Sequence, residues 1–239
     1  MNTSAASDRR TKPRIGVLPG DPNGVGPELL AKLLAETAVG TAADIIVIGD
    51  EHVIAAGARV AGVALSLPGW TADNGPSADG GAAHLKMETI APGEMTPGRV
   101  SASAGRSILQ TLEVAVDLAA DGRLDGICFA PLNKTSLHLG GMTQPDEMQH
   151  IAVHLGVAGV ARELNAIEGL WTTRVTSHVA LKDVPGMITE EGILTAVHRL
   201  HSKPPIGPRR GATVSNGHRP STRPILDSKH LNLEQQLVA

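Results

Sequence analysis

The sequence predicts an α/β protein built on a doubly wound, parallel-rich sheet, with a second domain. Three observations lead there. Apolar, β-branched runs alternate with helix-length amphipathic segments from residue 14 onward, the pattern of βαβ units. One junction, residues 18–30, reads LPGDPNGVGPELL: an apolar run, a turn rich in Gly and Pro, then a helix start with Pro27 at its first position. Aromatic side chains are limited to Trp70, Phe129 and Trp171, so the interior must be built from Ala, Val, Ile and Leu, which suits parallel strands covered by helices.

Taken in order, the strand at Arg14–Leu18 runs into Gly20, Gly24 and Gly26, which permit a sharp turn and close approach of the backbone to a ligand. The helix over 26–36 carries Leu29, Leu30, Leu33 and Leu34 at helical spacing, with Glu28 in its first turn. The spacing Gly-x-x-x-Gly-x-Gly is neither a Walker loop nor the dinucleotide fingerprint. An anion at the helix N-terminus and an ordinary strand–helix turn fit it equally well. A strand over 44–48, a helix over Glu51–Ala61 and a third short strand over 63–67 follow. Residues 69–98, rich in Gly, Pro, Ala and Asp, read as loop with a short strand near 85–90.

Ser101 then N-caps the longest helix, whose Ile108, Leu112, Ala115 and Ala119 share one face. A buried strand over 125–129 ends in Ala130-Pro131-Leu132-Asn133-Lys134. Ligands of open α/β sheets bind at the carboxyl ends of strands, so Lys134 is placed to meet a carboxylate or phosphate and Asn133 an amide or hydroxyl. The competing reading makes Lys134 a solvated first-turn residue of the next helix. A helix opens at 145–150 and runs through Leu155, and its His150 and His154 stand four apart. That spacing suits a metal pair but more often marks partly exposed helix residues. Residues 170–181 are rich in Thr and Val and strand-like, and residues 189–201 form an amphipathic helix carrying Ile193, Leu194, Val197 and Leu200.

Length and charge narrow the function classes. The 239 residues suffice for one large or two small α/β domains. A net charge of −3 argues for neither nucleic acid nor an anionic membrane as partner. The single cysteine, Cys128, excludes an intrachain disulfide, fits a reducing cytoplasm and reads as a small buried hydrophobe. No apolar run approaches the ~18 residues of a membrane span. Residues 1–13 read as a disordered leader without the apolar stretch of a secretion signal.

Residues 20–28, GDPNGVGPE, resemble the Gly-Asp-Pro-x-Gly-Ile/Val-Gly-Pro-Glu signature of the 4-hydroxythreonine-4-phosphate dehydrogenase family; Asp21, Gly24, Gly26 and Glu28 carry the motif. That family includes relatives acting on 4-phosphorylated threonate or erythronate, and it is a distant cousin of the isocitrate and isopropylmalate dehydrogenases. APLNKTSLHLGGM (130–142) is similar to the family's Ala-Pro-Ile-Asn-Lys-x-x-Leu segment. Residues 98–105 are similar to its Gly-Lys-x-Ser-Ala-x-x-Gly, with Arg99 where lysine is usual. The apolar pattern of the next helix sets Glu147 and Met148 where the main family has a substrate-contacting His-Thr pair. Pro145-Asp146-Glu147 is similar to the threonate/erythronate branch. LWTTRVTSHVAL with Lys182-Asp183-Val184-Pro185 resembles the family's Thr-Thr-His-Leu-Pro-Leu-Arg-Asp segment, whose metal-binding histidine is here His178.

The resemblance implies an isocitrate/isopropylmalate dehydrogenase-like fold and a metal-dependent oxidation with decarboxylation, using NAD or alternatively NADP. The substrate would be a 4-phosphorylated hydroxy acid such as 4-hydroxythreonine 4-phosphate or D-threonate or D-erythronate 4-phosphate. Lys134 would be catalytic, Asn133, Glu147 and Met148 substrate-binding, and His178 one of three ligands to Zn, Mg, Mn or Co. The resemblance further implies a cytoplasmic homodimeric oxidoreductase of pyridoxine biosynthesis, its cleft lined by the 21–28 turn and residues 133–134.

From residue 202 the composition changes. Residues 202–239 hold six basic and two acidic side chains and five of the 16 prolines, a net +4 against −7 for residues 1–201. With no helix or strand period, they read as an irregular basic tail. The family's Asn-Pro-His-Ala-Gly-Glu and Tyr-His-Asp-Gln-Gly segments, which carry the other metal histidines, have no counterpart. The expectation is thus a family fold over 14–201, incomplete at its C-terminus through a frameshift or early stop. The alternative is a catalytically inactive member that serves only as a binding or dimerising module.

Overall fold

The computed structural model describes residues 12–72, 81–157, 164–167, 170–176 and 179–201. The tail expected over 202–239, and the leader expected over 1–13 except its last two residues, lie outside them. The chain divides into two compact units, Met1–Thr143 and Gln144–Ala239.

The first unit alternates strand and helix: β1 (Arg14–Leu18), α1 (Gly26–Ala35), a short α2 (Thr37–Ala42), β2 (Asp44–Asp50), α3 (Glu51–Ala61), β3 (Ala82–Met87), α4 (Ala102–Ala120), β4 (Gly126–Phe129) and α5 (Lys134–Gly140). The sheet order is β3-β2-β1-β4 with every neighbouring pair parallel. Gly16 stands opposite Ile46 of β2 and Ile127 of β4. Alternate residues point to opposite faces. Val17, Ile45 and Val47 therefore meet Leu30 of α1 and Ile54 of α3 on one side. Gly16, Ile48, Ile127 and Leu124 converge on the other, the side that α4 covers. Both faces are buried, as the scarcity of aromatics and the continuous Ile/Val runs lead one to expect.

One strand departs from expectation. Residues 63–67 enter no ladder, and the third strand is Ala82–Met87. Leu65 and Leu67 instead pack as part-buried side chains against the cluster of α1, α3 and β2. Pro68, lacking an N–H, limits the segment to a single bridge: His84 N donates to the Pro68 carbonyl, and Trp70 N to the His84 carbonyl, both at 2.8 Å. Trp70 is buried there, with the Arg14 guanidinium 5.9 Å from its ring centre.

Helix contacts in this unit rest on glycine. A Cβ on Gly57 would lie 2.2 Å from Pro27 backbone atoms, which is how α3 seats on the start of α1. A Cβ on Gly105 would lie 1.7 Å from the Ser136 carbonyl, and one on Gly140 2.4 Å from Gly105, so α4 and α5 cross with their backbones in contact. Around that crossing Ile108, Leu109, Leu137 and Met142 form a closed cluster.

The second unit holds α6 (Glu147–His154), a hairpin of β5 (Leu164–Ile167) and β6 (Leu170–Thr173), a short α7 (Val184–Met187) and α8 (Glu190–His201). Of the strand expected over 170–181, the described residues form β6 over the first four, residues 177–178 lying outside the description, and its antiparallel partner β5 was not anticipated. Asp146 caps α6 by accepting from Gln149 N at 2.7 Å. Among the described residues no helix is long and apolar enough to cross a membrane.

The α4–α5 crossing predicts a sharp contrast between glycines. Gly105→Ala lowers stability by about 2–3 kcal/mol or more, because the rigid Ser136 carbonyl cannot give way. Gly93→Ala, with open space around its Cβ, stays within about 0.5 kcal/mol of wild type. Urea unfolding midpoints of the two variants check this.

Candidate active site

Because the strands are parallel, the turns after β1, β3 and β4 lie along one edge of the sheet. The turn after β1 is Pro19 to Val25. Gly20 sits at φ +70°, where a Cβ would meet the Ala130 and Pro131 carbonyls at 2.5 and 2.7 Å. Asp21 N donates to the Pro131 carbonyl at 3.2 Å, joining this turn to the end of β4. Asp21 Oδ1 accepts from Asn23 N at 2.9 Å, an Asx turn. Gly26 allows close approach, but to the protein itself: a Cβ there would stand 2.0 Å from the Pro19 carbonyl. Gly24 is exposed, and a Cβ would only touch Asp21 at 3.4 Å. Glu28 pairs with Lys32 one turn on at 2.5 Å. Of the motif residues, then, Gly26 and Glu28 serve the helix start, and Asp21 and Gly20 serve the turn.

The residue that organises this edge is Asn23, which sequence reasoning passed over as one position in a motif. It is 3% exposed and fully bonded. Its Oδ1 accepts from Thr96 N at 2.7 Å, and its carbonyl accepts from Gly98 N at 2.7 Å. Its Nδ2 donates to the Arg99 carbonyl at 3.0 Å and to Ser101 Oγ at 3.3 Å. Ser101 is the N-cap of α4 and accepts from Ala104 N at 3.1 Å, as its position predicts. Ser101 N donates to Ser136 Oγ at 3.3 Å, and Ser136 N donates to Asn133 Oδ1 at 2.9 Å, which caps α5. Three loops are thus sewn together by side chains. The available signal was an Asn between Pro and Gly, a residue that favours local bonding.

A second buried carboxylate ends β2. Asp50, 3% exposed, accepts from Thr89 N at 2.8 Å, from Thr89 Oγ1 at 2.5 Å and from Ile90 N at 3.3 Å. Thr89 Oγ1 also lies 2.6 Å from Ser107 Oγ of α4. The loop after β3 is therefore fastened at both ends, to Asp50 at residues 89–90 and to Asn23 at residues 96–101.

Of the expected site residues, Lys134 is exposed at the first position of α5 and Asn133 half-buried just before it. Asn133 commits its carbonyl to the cap, so its Nδ2 is the part left to meet a ligand. Glu147 and Met148 form the half-buried first turn of α6, in the second unit. His178 lies outside the described residues. His150 Nδ1 is 3.1 Å from Gln144 Oε1, and His154 is exposed. Among the described residues no three His, Cys, Asp or Glu side chains converge to hold a metal. Cys128 is half-buried, and burial pushes its thiol up from its ordinary range, away from nucleophile chemistry.

Burial also lifts the Asp21 carboxyl above its usual 3.8, partly offset by the bond from Asn23 N. The folded chain resists ionising Asp21 and the unfolded chain does not. This contribution is therefore favourable below 3.8 and is lost as pH rises through the folded value. Asp21→Asn, which keeps an oxygen for Asn23 N, should melt above wild type at pH 7. The gap should close as the buffer approaches the ordinary carboxylate range, as thermal melts at several pH values would show.

The chain is similar to known proteins over most of its length. The family model for "Pyridoxal phosphate biosynthetic protein PdxA" matches residues 41–204. The chain is 43% identical over 191 residues to "Putative 4-hydroxythreonine-4-phosphate dehydrogenase 2" of Pseudomonas aeruginosa, covering 79% of this chain and 56% of that protein. It is 32% identical over 189 residues to the D-threonate 4-phosphate dehydrogenase of Cupriavidus necator, with coverage of 79% and 56%. Its fold matches the crystal structure of a 4-hydroxythreonine-4-phosphate dehydrogenase from Burkholderia phymatum with a TM-score of 0.70 at 30% identity, over 80% of this chain and 57% of that one. The chain thus spans little more than half the length of the relatives it matches. With two thirds of its residues under the family model and the parallel α/β sheet of its structural neighbours, the chain belongs to the PdxA family of pyridoxal phosphate biosynthetic proteins.

Proposed function

We propose that this chain carries the substrate-facing edge of a nicotinamide-dependent dehydrogenase that oxidises, with decarboxylation, a 4-phosphorylated hydroxy acid. The substrate would be of the 4-hydroxythreonine or D-threonate/D-erythronate 4-phosphate type. The observation that carries this reading is Lys134: a cation exposed at the carboxyl edge of the sheet, in a chain whose relatives are named as dehydrogenases of such phosphates. Lys134 would hold a phosphate or carboxylate oxygen, and Asn133 Nδ2 would donate to a second oxygen. The likeness of Pro145-Asp146-Glu147 to the threonate/erythronate branch supports a substrate of that type.

The metal belongs to the proposal only through His178. The described residues do not assemble three ligands, the number that open catalytic sites generally keep, so the roles above are stated for this chain's side chains alone. The turn after β1 closes on its own backbone at Gly26 and offers no dinucleotide cradle, so the preference for NAD over NADP rests on family likeness. The isocitrate/isopropylmalate dehydrogenase-like fold, homodimer assembly and a cytoplasmic location are parts of the same proposal.

Calorimetric titration with D-threonate 4-phosphate tests it. Saturable binding is expected, weakened about 10- to 100-fold by Lys134→Ala, the worth of a charge-assisted hydrogen bond. Absence of binding, or an unchanged affinity in Lys134→Ala, would overturn the reading. Steady NADH formation with NAD and a divalent metal, lost in His178→Ala, distinguishes the enzyme from a module that only binds.

A further inference from the structure

We propose that Asn23 is a positioning residue for the anion-binding edge: through Ser101 and Ser136 it fixes Arg99 and the Asn133–Lys134 pair as one rigid group. Arg99 is thereby assigned as the second cation that meets the phosphorylated acid. This rests on the reading of Lys134 as a substrate contact.

The argument runs from burial to placement. An amide buried to 3% exposure must have its donors and acceptors met, and Asn23 meets those of its side chain on residues 96–101, while its backbone N donates to Asp21 Oδ1. Those bonds fix the Arg99 backbone from both sides, since Arg99 N also donates to the Thr96 carbonyl at 3.1 Å while its own carbonyl accepts from Asn23. The Arg99 side chain is exposed and has no protein partner among the described residues, the state of a cation available to a ligand. From Ser101 the chain of bonds passes to Ser136 Oγ and on to Asn133 Oδ1, one residue from Lys134. Ser136 is fully buried, so this link is dry and poorly replaced by water. Asp21 N on the Pro131 carbonyl closes the loop back to the turn that holds Asn23. Two cations from different loops are thus tied to one side chain, and neither loop shifts alone. Rigid placement is what a small phosphorylated ligand needs, because affinity falls by the cost of ordering the groups that hold it.

Calorimetry with D-threonate 4-phosphate on the full chain, well below the melting temperature, tests this. Asn23→Ala and Ser136→Ala should each weaken binding about tenfold while far-UV circular dichroism stays that of wild type. Arg99→Ala should weaken it to a similar degree. The decisive measurement adds Asn23→Ala to the Arg99→Ala, Lys134→Ala pair, where it should cost far less affinity than it does in wild type, because both cations it places are gone. A purely structural role for Asn23 would instead lower the melting temperature and leave affinity and coupling unmoved. Wild-type affinity in Asn23→Ala, or the same fold-loss from Asn23→Ala in the Arg99→Ala, Lys134→Ala pair as in wild type, would overturn the positioning role. Wild-type affinity in Arg99→Ala would overturn the assignment of Arg99. If Asn23→Ala does not fold, Ser136→Ala carries the test, since it cuts the same path without touching the turn. Failure of wild type itself to bind would remove the reading of Lys134, and this inference with it; retained Lys134 dependence with an indifferent Asn23 would remove this inference alone.

Discussion

The buried amide of Asn23 is the constraint on which the sheet's carboxyl edge depends. A primary amide out of water carries two donors and an acceptor, and each one left unpaired costs about 1–3 kcal/mol. Its partners come from sequence positions more than seventy residues away: Thr96 N, the Arg99 carbonyl and Ser101 Oγ. The turn after β1 is therefore stable as built only when the loop after β3 is in place, and that loop is held in part by the turn. Asp50 repeats the device one strand over, using Thr89 and Ile90. An edge of loops, ordinarily the most mobile part of an α/β sheet, becomes a cooperative unit because each loop meets another's buried polar groups.

Such polar stitching works only if the backbones are brought close, and the composition explains how they are. With two Trp, one Phe and no Tyr, the interior has few side chains large enough to hold elements apart. Contact is made instead at glycines, Gly57 on Pro27, Gly26 on the Pro19 carbonyl and Gly105 on Ser136 and Gly140, each position too tight for a methyl group. The Gly105 contact sets the distance at which Ser101 N reaches Ser136 Oγ. Packing and polar network are thus the same structural feature seen from its apolar and polar sides.

This division explains what the sequence disclosed. Period and capping are local, so β1, α3 and the Ser101 cap of α4 were legible to the residue, and Lys134 stands, exposed, at the first position of the helix after β4, where the competing reading put it. The strand expected over 63–67 failed because its apolar spacing reports burial, which Leu65 and Leu67 do have, and not pairing, which Pro68 restricts. β5 was invisible because four residues carry too little pattern to announce a strand. Asn23 was missed for the opposite reason: its role lies wholly in contacts across seventy residues, which no local pattern encodes. The three glycines of the turn drew attention as a ligand cradle, yet the space opened by Gly26 is filled by the chain's own carbonyl.

The family match begins at residue 41 and so leaves the motif turn at 20–28 outside it, yet the structure ties that turn into the matched stretch. Asn23 bonds to residues 96–101, and the Pro131 carbonyl, after β4, accepts from Asp21. A turn serving only as a connector between β1 and α1 would need none of these bonds, since Pro27 and Glu28 already supply a helix start. What the bonds do is hold two other strand ends in register with the first. The motif's physical meaning is therefore architectural: it is the fixed point from which the cations of two later loops are placed. A change that spared every glycine but removed the Asn23 amide would leave the fold's outline intact and loosen the carboxyl edge of the sheet.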